Sequence, residues 1–336
     1  MRRRRPLPYH ATQALARLMS GSGGLTGDEQ AKLALLNWLD AQGYDFVTVT
    51  PKSHRRVVAR ASMRQAQDLR GIFGWSLPFD EALAGPELFG LLREGRLLQE
   101  SAAGWKSKVR VSRVRDCLFL HSAFPTDSDD SVFLGPDTLR FIDFMEAQLP
   151  KDRAGVRRLV DIGTGAGVGG IVATQLLGTK VRTELADVNR AALSHARVNA
   201  AHAGVAANTV ESDAVADIEP GFDLAIANPP FIIDENGPAY RQGGDMHGAE
   251  LSLRWTVEAA AKLAPGGRML LYTGSAIVGG KDALREALER ELPPLGCTLS
   301  WRELDPDIFG EELEKPAYQQ VERIAAVGAV VEKYKS

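Results

Sequence analysis

Between residue 158 and the C-terminus, short apolar runs alternate with stretches of helical periodicity. Leu159 to Ile162, Val181 to Ala186, Thr209 to Ser212, Phe222 to Ala227, Arg268 to Thr273, Thr298 to Leu304 and Arg323 to Val331 read as strands. Between them, Val168 to Leu177, a stretch capped by Asn189 and running to about Ala203, Ala249 to Ala264, and Lys281 to Leu292 read as helices. A further helix, opened by Pro136 and stopped by Pro150, precedes the first strand. This alternation predicts an α/β protein with a doubly wound, seven-stranded sheet. In such a sheet, ligands gather at the C-terminal ends of the strands.

The N-terminal part has a different pattern. His10 to Ser20 reads as a short helix. Thr26-Gly-Asp-Glu29 has capping-box spacing and opens a helix closed near Gly43. Phe46 to Thr50 reads as a strand stopped by Pro51, and Ser62 to Phe73 as a helix. Two short helices flank Pro86, and Leu97 to Glu100, Lys108 to Val114 and Cys117 to His121 read as strands. Helices followed by a small hairpin suggest a winged-helix-like α+β module. The polar, turn-rich Phe124 to Ser131 places a junction, giving an accessory domain over 1–130 and a larger domain over 131–336.

Charge sharpens this division. The 336 residues carry a net charge of −3, yet residues 1–115 hold 19 Lys+Arg against 10 Asp+Glu. A local +9 suggests an anionic partner for the N-terminal half. Lys108, Arg110 and Ser112 alternate with Val109 and Val111, so the spacing predicts a basic strand face offered to a substrate, continued by Arg55, Arg56, Arg60, Arg64, Lys106, Arg113 and Arg115. A solvated strand face is the plainer alternative. The two cysteines form no C-x-x-C pair, so neither a disulfide framework nor a metal site is expected, and a reducing cytoplasm fits. No apolar run has the ~18 residues of a membrane span. Met1 to Arg5 lacks a following apolar stretch, which argues against an export signal.

Chemistry concentrates at the strand ends. Asp161 leads into Gly163, Gly165 and Gly167, whose missing Cβ atoms allow a sharp turn and close approach of the backbone to a ligand. The loop then feeds a helix N-terminus with its free N–H groups. Asp187, 22 residues after Gly165, suits a ribose hydroxyl pair, and Asp213 an adenine amino group. Both also fit ordinary turn and helix-start positions. The glycine string alone also fits a nicotinamide dinucleotide site. Asn228-Pro229-Pro230-Phe231 separates the two. Adjacent prolines make a rigid bend. There the Asn228 amide oxygen and the Pro229 carbonyl can accept both hydrogens of one –NH₂ group, and Phe231 offers a flat face to a planar acceptor. Tyr240 and Arg241, in the glycine-rich loop that follows, are candidate acceptor contacts.

These motifs, over roughly Val132 to Lys333, resemble class I S-adenosylmethionine-dependent methyltransferases bearing Asn-Pro-Pro-[Phe/Tyr]. That group includes the HemK-like protein-glutamine N-methyltransferases and the small-domain methyltransferases of ribosomal and transfer RNA. The resemblance implies a Rossmann-like sheet with an antiparallel final strand. It implies that Asp161, Gly163, Gly165, Gly167, Asp187, Asp213 and Asn228 hold S-adenosylmethionine, and that Asn228 to Phe231 are catalytic. Phe231 stands where HemK-like proteins usually have tyrosine, and the basic N-terminal half differs from their small helical bundle. Both favour an exocyclic amine of a base in structured RNA as acceptor. A protein glutamine amide is the alternative, a small-molecule amine or amide the third. A dehydrogenase or a non-catalytic RNA-binding module would leave the tetrapeptide unexplained.

Overall fold

The computed structural model describes residues 24–149, 155–178, 180–233 and 243–335. The expected helix over residues 10–20, and both Tyr240 and Arg241, lie outside them. Helix α1 (Gly27–Ala41) starts on a true capping box. Thr26 Oγ1 accepts from the Glu29 N–H (3.4 Å), and the Thr26 N–H donates to the Glu29 carboxylate (3.0 Å). The expected strand over Phe46 to Thr50 does not form. Its Phe46 carbonyl takes a bond from the Arg113 N–H (2.8 Å), but Thr50 and Pro51 then draw the chain into α2 (Pro51–Val58). Thr50 Oγ1 accepts from the Ser53 N–H at 3.2 Å, and Pro51 gives up no needed N–H at the first helical position. The expected helix over Ser62 to Phe73 is shorter. A 3₁₀ turn (Ala61–Met63) precedes α3 (Leu69–Phe73), capped by the Asp68 carboxylate on the Gly71 N–H (2.7 Å). Helix α4 (Glu81–Glu94) joins the two segments expected around Pro86 across a kink at Gly85 (φ +69°).

Two antiparallel hairpins follow. β1 (Leu98–Ser101) pairs with β2 (Gly104–Ser107), which the sequence pattern does not single out. β3 (Val109–Val114) pairs with β4 (Cys117–Ser122). Leu35, Leu36, Leu39, Phe73, Phe79, Leu88, Val111 and Leu120 are wholly buried in one apolar cluster beneath these elements. The hairpin corrects the expected basic face. Arg110 (2% exposed) and Ser112 (0%) turn inward, where Ser112 Oγ meets His121 Nε2 at 2.8 Å. Alternation places residues on a common side of a strand without saying whether the second side is also covered, and here both sides of β3 are buried.

Helix α5 (Pro136–Gln148) leads to β5 (Arg158–Ile162), α6 (Val168–Leu177), β6 (Arg182–Asp187), α7 (Arg190–His202), β7 (Ala207–Glu211) and β8 (Phe222–Ala227). Helix α8 (Glu250–Lys262) passes directly into a long β9 (Leu263–Val278), so Pro265-Gly-Gly267 lies at the strand's irregular start rather than in a loop. The two-residue β10 (Lys281–Asp282) folds back on β9. Helix α9 (Ala283–Glu291), β11 (Cys297–Asp305) and β12 (Arg323–Lys333) complete the chain. The sheet runs β11-β12-β9-β8-β5-β6-β7, parallel from β9 through β7, with β12 antiparallel to both neighbours. This is the doubly wound order the alternation predicts, reversing direction across the β5–β8 pair. Apolar side chains line both faces of the parallel strands, as burial on both sides requires.

The two halves are tied by polar contacts on α7. Arg197 and Ser194 both donate to the buried Glu29 carboxylate, at 2.6 and 2.7 Å. Asn199 is wholly buried. It bonds the Leu120 N–H and carbonyl (2.8 and 3.0 Å) and donates to the Ala166 carbonyl (2.8 Å), linking β4 to the glycine loop.

Candidate functional site

A cleft of about 820 Å³ opens where β5, β6, β7 and β8 end. Its floor is the loop after β5. The Asp161 carboxylate accepts from Thr164 Oγ1 (2.6 Å) and from the Gly170 N–H (2.8 Å), pinning the loop's two ends together. Burial pushes the Asp161 carboxyl up to about 6, against the pull of those two bonds. Gly163 and Gly165 both have positive φ, at +65° and +52°. At Gly163 a Cβ would stand 2.5 Å from the Trp255 ring, whereas at Gly165 nothing lies within 4 Å of that position. Gly165 therefore presents open backbone to the cleft. Gly167 (φ +81°) turns away from it to start α6, and a Cβ there would come within 3.2 Å of Ala196 of α7.

At the end of β6, the Asp187 carboxylate accepts from the Gly165 N–H and from the Asn189 N–H, both at 2.9 Å. Burial raises its carboxyl above the usual range, opposed by these backbone donors. Beyond β7, Asp213 lines the cleft with its carboxylate held in a two-pronged pair by Arg254, at 2.8 and 3.0 Å. Asn228 follows β8. Among the described residues no hydrogen bond engages its side chain, which is half-buried at the cleft wall. Phe231 is 8% exposed, with its ring edge-on to Phe309 (5.4 Å, 74°) and resting on Gly274, where a Cβ would come within 2.4 Å.

The fold thus gathers Asp161, Gly163, Gly165, Asp187, Asp213 and Asn228 to Phe231 around one cavity. Lys108 and Arg110 do not reach it. Among the described residues, no cluster of His, Cys, Asp or Glu suits a metal ion. Several lining residues escape sequence reasoning. Trp255 and Arg254 come from α8, Phe309 from the segment between β11 and β12, and Lys52 from α2, beside the Arg55 and Arg56 that the sequence offers as part of a basic face. Lys52 carries a legible signal in its i, i+3, i+4 spacing to those two. Trp255 carries none, because its partner is the backbone of a distant loop. Its buried Nε1 has no hydrogen-bond partner among the described residues.

Residues 143–290 match the methyltransferase small domain. The chain is 34% identical over 115 residues to ribosomal RNA small subunit methyltransferase C of Hahella chejuensis, covering 34% of this chain and 30% of that protein. It is 30% identical over 171 residues to the release factor glutamine methyltransferase of Deinococcus radiodurans, covering 46% and 55%. The chain thus spans between about a third and about half the length of these two relatives. Among solved structures, one similar to it is the T. thermophilus 16S rRNA N2 G1207 methyltransferase in complex with AdoMet and guanosine, with a TM-score of 0.43, 16% identity, and coverage of 76% of this chain and 64% of that one. The cleft fits the cofactor of this family. Open backbone at Gly165, a carboxylate at the end of β6 and a cavity near the upper end of the ~300–1,000 Å³ usual for small ligands are what an adenosine with an amino-acid tail requires. The glycine loop, the acid after β6 and Asn-Pro-Pro-Phe after β8 stand around one cleft, and the span 143–290 that carries them all matches the methyltransferase small domain.

Proposed function

We propose that this protein is an N-methyltransferase whose acceptor is the exocyclic amine of a base in structured RNA. The observation that carries the reading is the unengaged Asn228 side chain on the cleft wall, next to the Pro229 carbonyl and the Phe231 ring. Asp187 and the backbone of Gly163 and Gly165 would hold the cofactor's ribose end, with Asp213 and Arg254 at the base end. S-adenosylmethionine supplies a methyl group already activated by a sulfonium.

The protein's task is therefore at the acceptor. An exocyclic amine delocalises its lone pair into the ring and is a poor nucleophile. The Asn228 amide oxygen and the Pro229 carbonyl, each accepting one N–H, favour a more tetrahedral nitrogen and stabilise the charge that develops there. Phe231 fixes the plane of the base so that the lone pair points along the line of transfer. Phe309 and Gly274 lock the Phe231 ring in turn, which makes the alignment a property of the fold.

A second reading, methylation of a protein glutamine amide, is favoured by the longer match to the Deinococcus relative. The same two acceptors suit a primary amide. Transfer of labelled methyl into an extract fractionated into RNA and protein separates the two. Label in RNA supports the first, and label confined to a protein band overturns it.

A further inference from the structure

One wall of the cleft comes from outside the methyltransferase sheet. Lys52, Arg55 and Arg56 of α2 line the same cavity as Asn228 and Phe231. At i, i+3 and i+4 they share one helix face. All three are exposed, and among the described residues none makes an ion pair or hydrogen bond.

That sets them apart from the arginines of the β3–β4 hairpin and from the other arginines of the cleft. Arg113 pairs with Asp40 and Asp45, and Arg115 with Asp143 and Glu146. Within the cleft, Arg140 pairs with Asp137 and Arg254 with Asp213. Three like charges on one face repel, and Lys52 in the first turn of a helix without an acidic residue there opposes the dipole. The arrangement costs stability that a bound anion would offset. The helix is also held in place. His54, 1% exposed, brings Nε2 to the Trp75 carbonyl (3.1 Å) and lays its ring against Phe124 (4.1 Å between centroids).

We propose that Lys52, Arg55 and Arg56 grip backbone phosphates flanking the acceptor nucleotide, so that the accessory part of the chain supplies one half of the acceptor site. The inference rests on the RNA reading. Asn228 and Phe231 would take an unstacked base while α2 holds its strand, which is how enzymes acting on a base meet it outside the helix. The three cations are positioning residues. They touch the acceptor's backbone, not the reacting nitrogen.

The test uses the full chain, an unmodified small-subunit ribosomal RNA transcript as acceptor, and the triple variant K52A/R55A/R56A beside the charge-conserving K52R/R55K/R56K. The triple alanine variant should raise KM for RNA at least tenfold, with a smaller fall in kcat, and leave S-adenosylhomocysteine affinity within about twofold. The slope of log Kd for RNA against log salt should become shallower by about 2, since each released phosphate contact contributes roughly 0.7–0.9. The charge-conserving variant should recover most of the KM. An unchanged KM and salt slope overturn the proposal. So does a parallel loss of S-adenosylhomocysteine affinity, which would place the cations on the cofactor's carboxylate. A wild-type enzyme that labels protein and not RNA overturns the RNA reading and this inference together. A wild type that labels RNA beside a triple variant of unchanged KM overturns this inference alone.

Discussion

The ring of Trp255 occupies the space that a side chain at Gly163 would need: a Cβ there would stand 2.5 Å from the indole Cη2. Gly163 is thus required twice, for its φ of +65° and for the indole that packs on it. The contact joins α8 to the loop that floors the cleft. Gly163→Ala should destabilise the protein by about 1–3 kcal/mol, from left-handed strain and overpacking together. It should also weaken S-adenosylhomocysteine binding, because the loop must shift. Trp255→Leu should relieve the clash but not the strain. A double-mutant cycle in thermal unfolding should therefore show non-additivity. Strict additivity would mean that the two residues do not act on each other.

Asp187 ties the glycine loop to the start of α7. Its carboxylate already holds the Gly165 and Asn189 N–H groups, leaving further lone pairs toward the cleft. Asp187→Ala would remove the proposed ribose partner and loosen the loop at once. Charge-assisted bonds of this kind are worth roughly 1.5–3 kcal/mol, so calorimetry should show S-adenosylhomocysteine affinity reduced at least tenfold. Unchanged affinity in a folded variant would remove Asp187 from the cofactor site.

The pH dependence of stability carries a signature of Asp161. Its folded-state carboxyl is raised from 3.8 to about 6, chiefly by burial. The folded state therefore binds this proton more tightly than the unfolded state does. The group's contribution to stability rises as pH falls from about 6 toward 4, and is flat above. His54 and His195 act in the opposite sense. Burial lowers them to about 4 and about 3, so unfolding takes up protons there and stability falls as pH drops below 6.5. Asp161→Asn keeps an acceptor for Thr164 and Gly170 and isolates the carboxyl. The stability of wild type relative to this variant should increase between pH 7 and pH 4, by up to about 3 kcal/mol at 1.36 kcal/mol per unit. A difference independent of pH in denaturant titrations would contradict the buried, raised carboxyl.

Much of this was legible in the sequence because burial on both faces makes parallel strands continuous apolar runs, as in Leu224–Ala227, and because the glycine loop announces a backbone that needs no Cβ. The acid after β6 and the tetrapeptide after β8 then follow from strand ends alone. What periodicity cannot give is whether both sides of a strand are covered, as they are at β3, hence the buried Arg110. Nor can it supply a partner. Phe46 to Thr50 has strand-like composition but gains no ladder, and Pro51 takes the chain into α2. Trp255 on Gly163, Arg254 on Asp213 and Phe309 on Phe231 are contacts between distant segments, so no local pattern encodes them.

The tetrapeptide provides the sharpest test, because the geometry separates two roles within it. The Asn228 side chain, free of other bonds among the described residues, would act as the acceptor nitrogen rehybridises. Its removal should weaken the transition state more than the ground state. Loss of one oriented polar group costs about 10²–10³ in rate in comparable sites. Asn228→Ala should fold, bind S-adenosylhomocysteine nearly as wild type does, and lose about that factor in single-turnover rate. Phe231 would instead hold the ground-state acceptor, so Phe231→Leu should raise KM along with a smaller fall in kcat. Its support can be tested from behind. Gly274→Ala would drive a Cβ to 2.4 Å from Phe231 Cδ2, displacing the ring without touching the acceptor. That variant should reproduce the KM increase of Phe231→Leu while leaving S-adenosylhomocysteine affinity near wild type. An Asn228→Ala enzyme within a few-fold of wild type would reduce the tetrapeptide to a turn. A Gly274→Ala enzyme with unchanged KM would show that the set of the Phe231 ring does not position the acceptor.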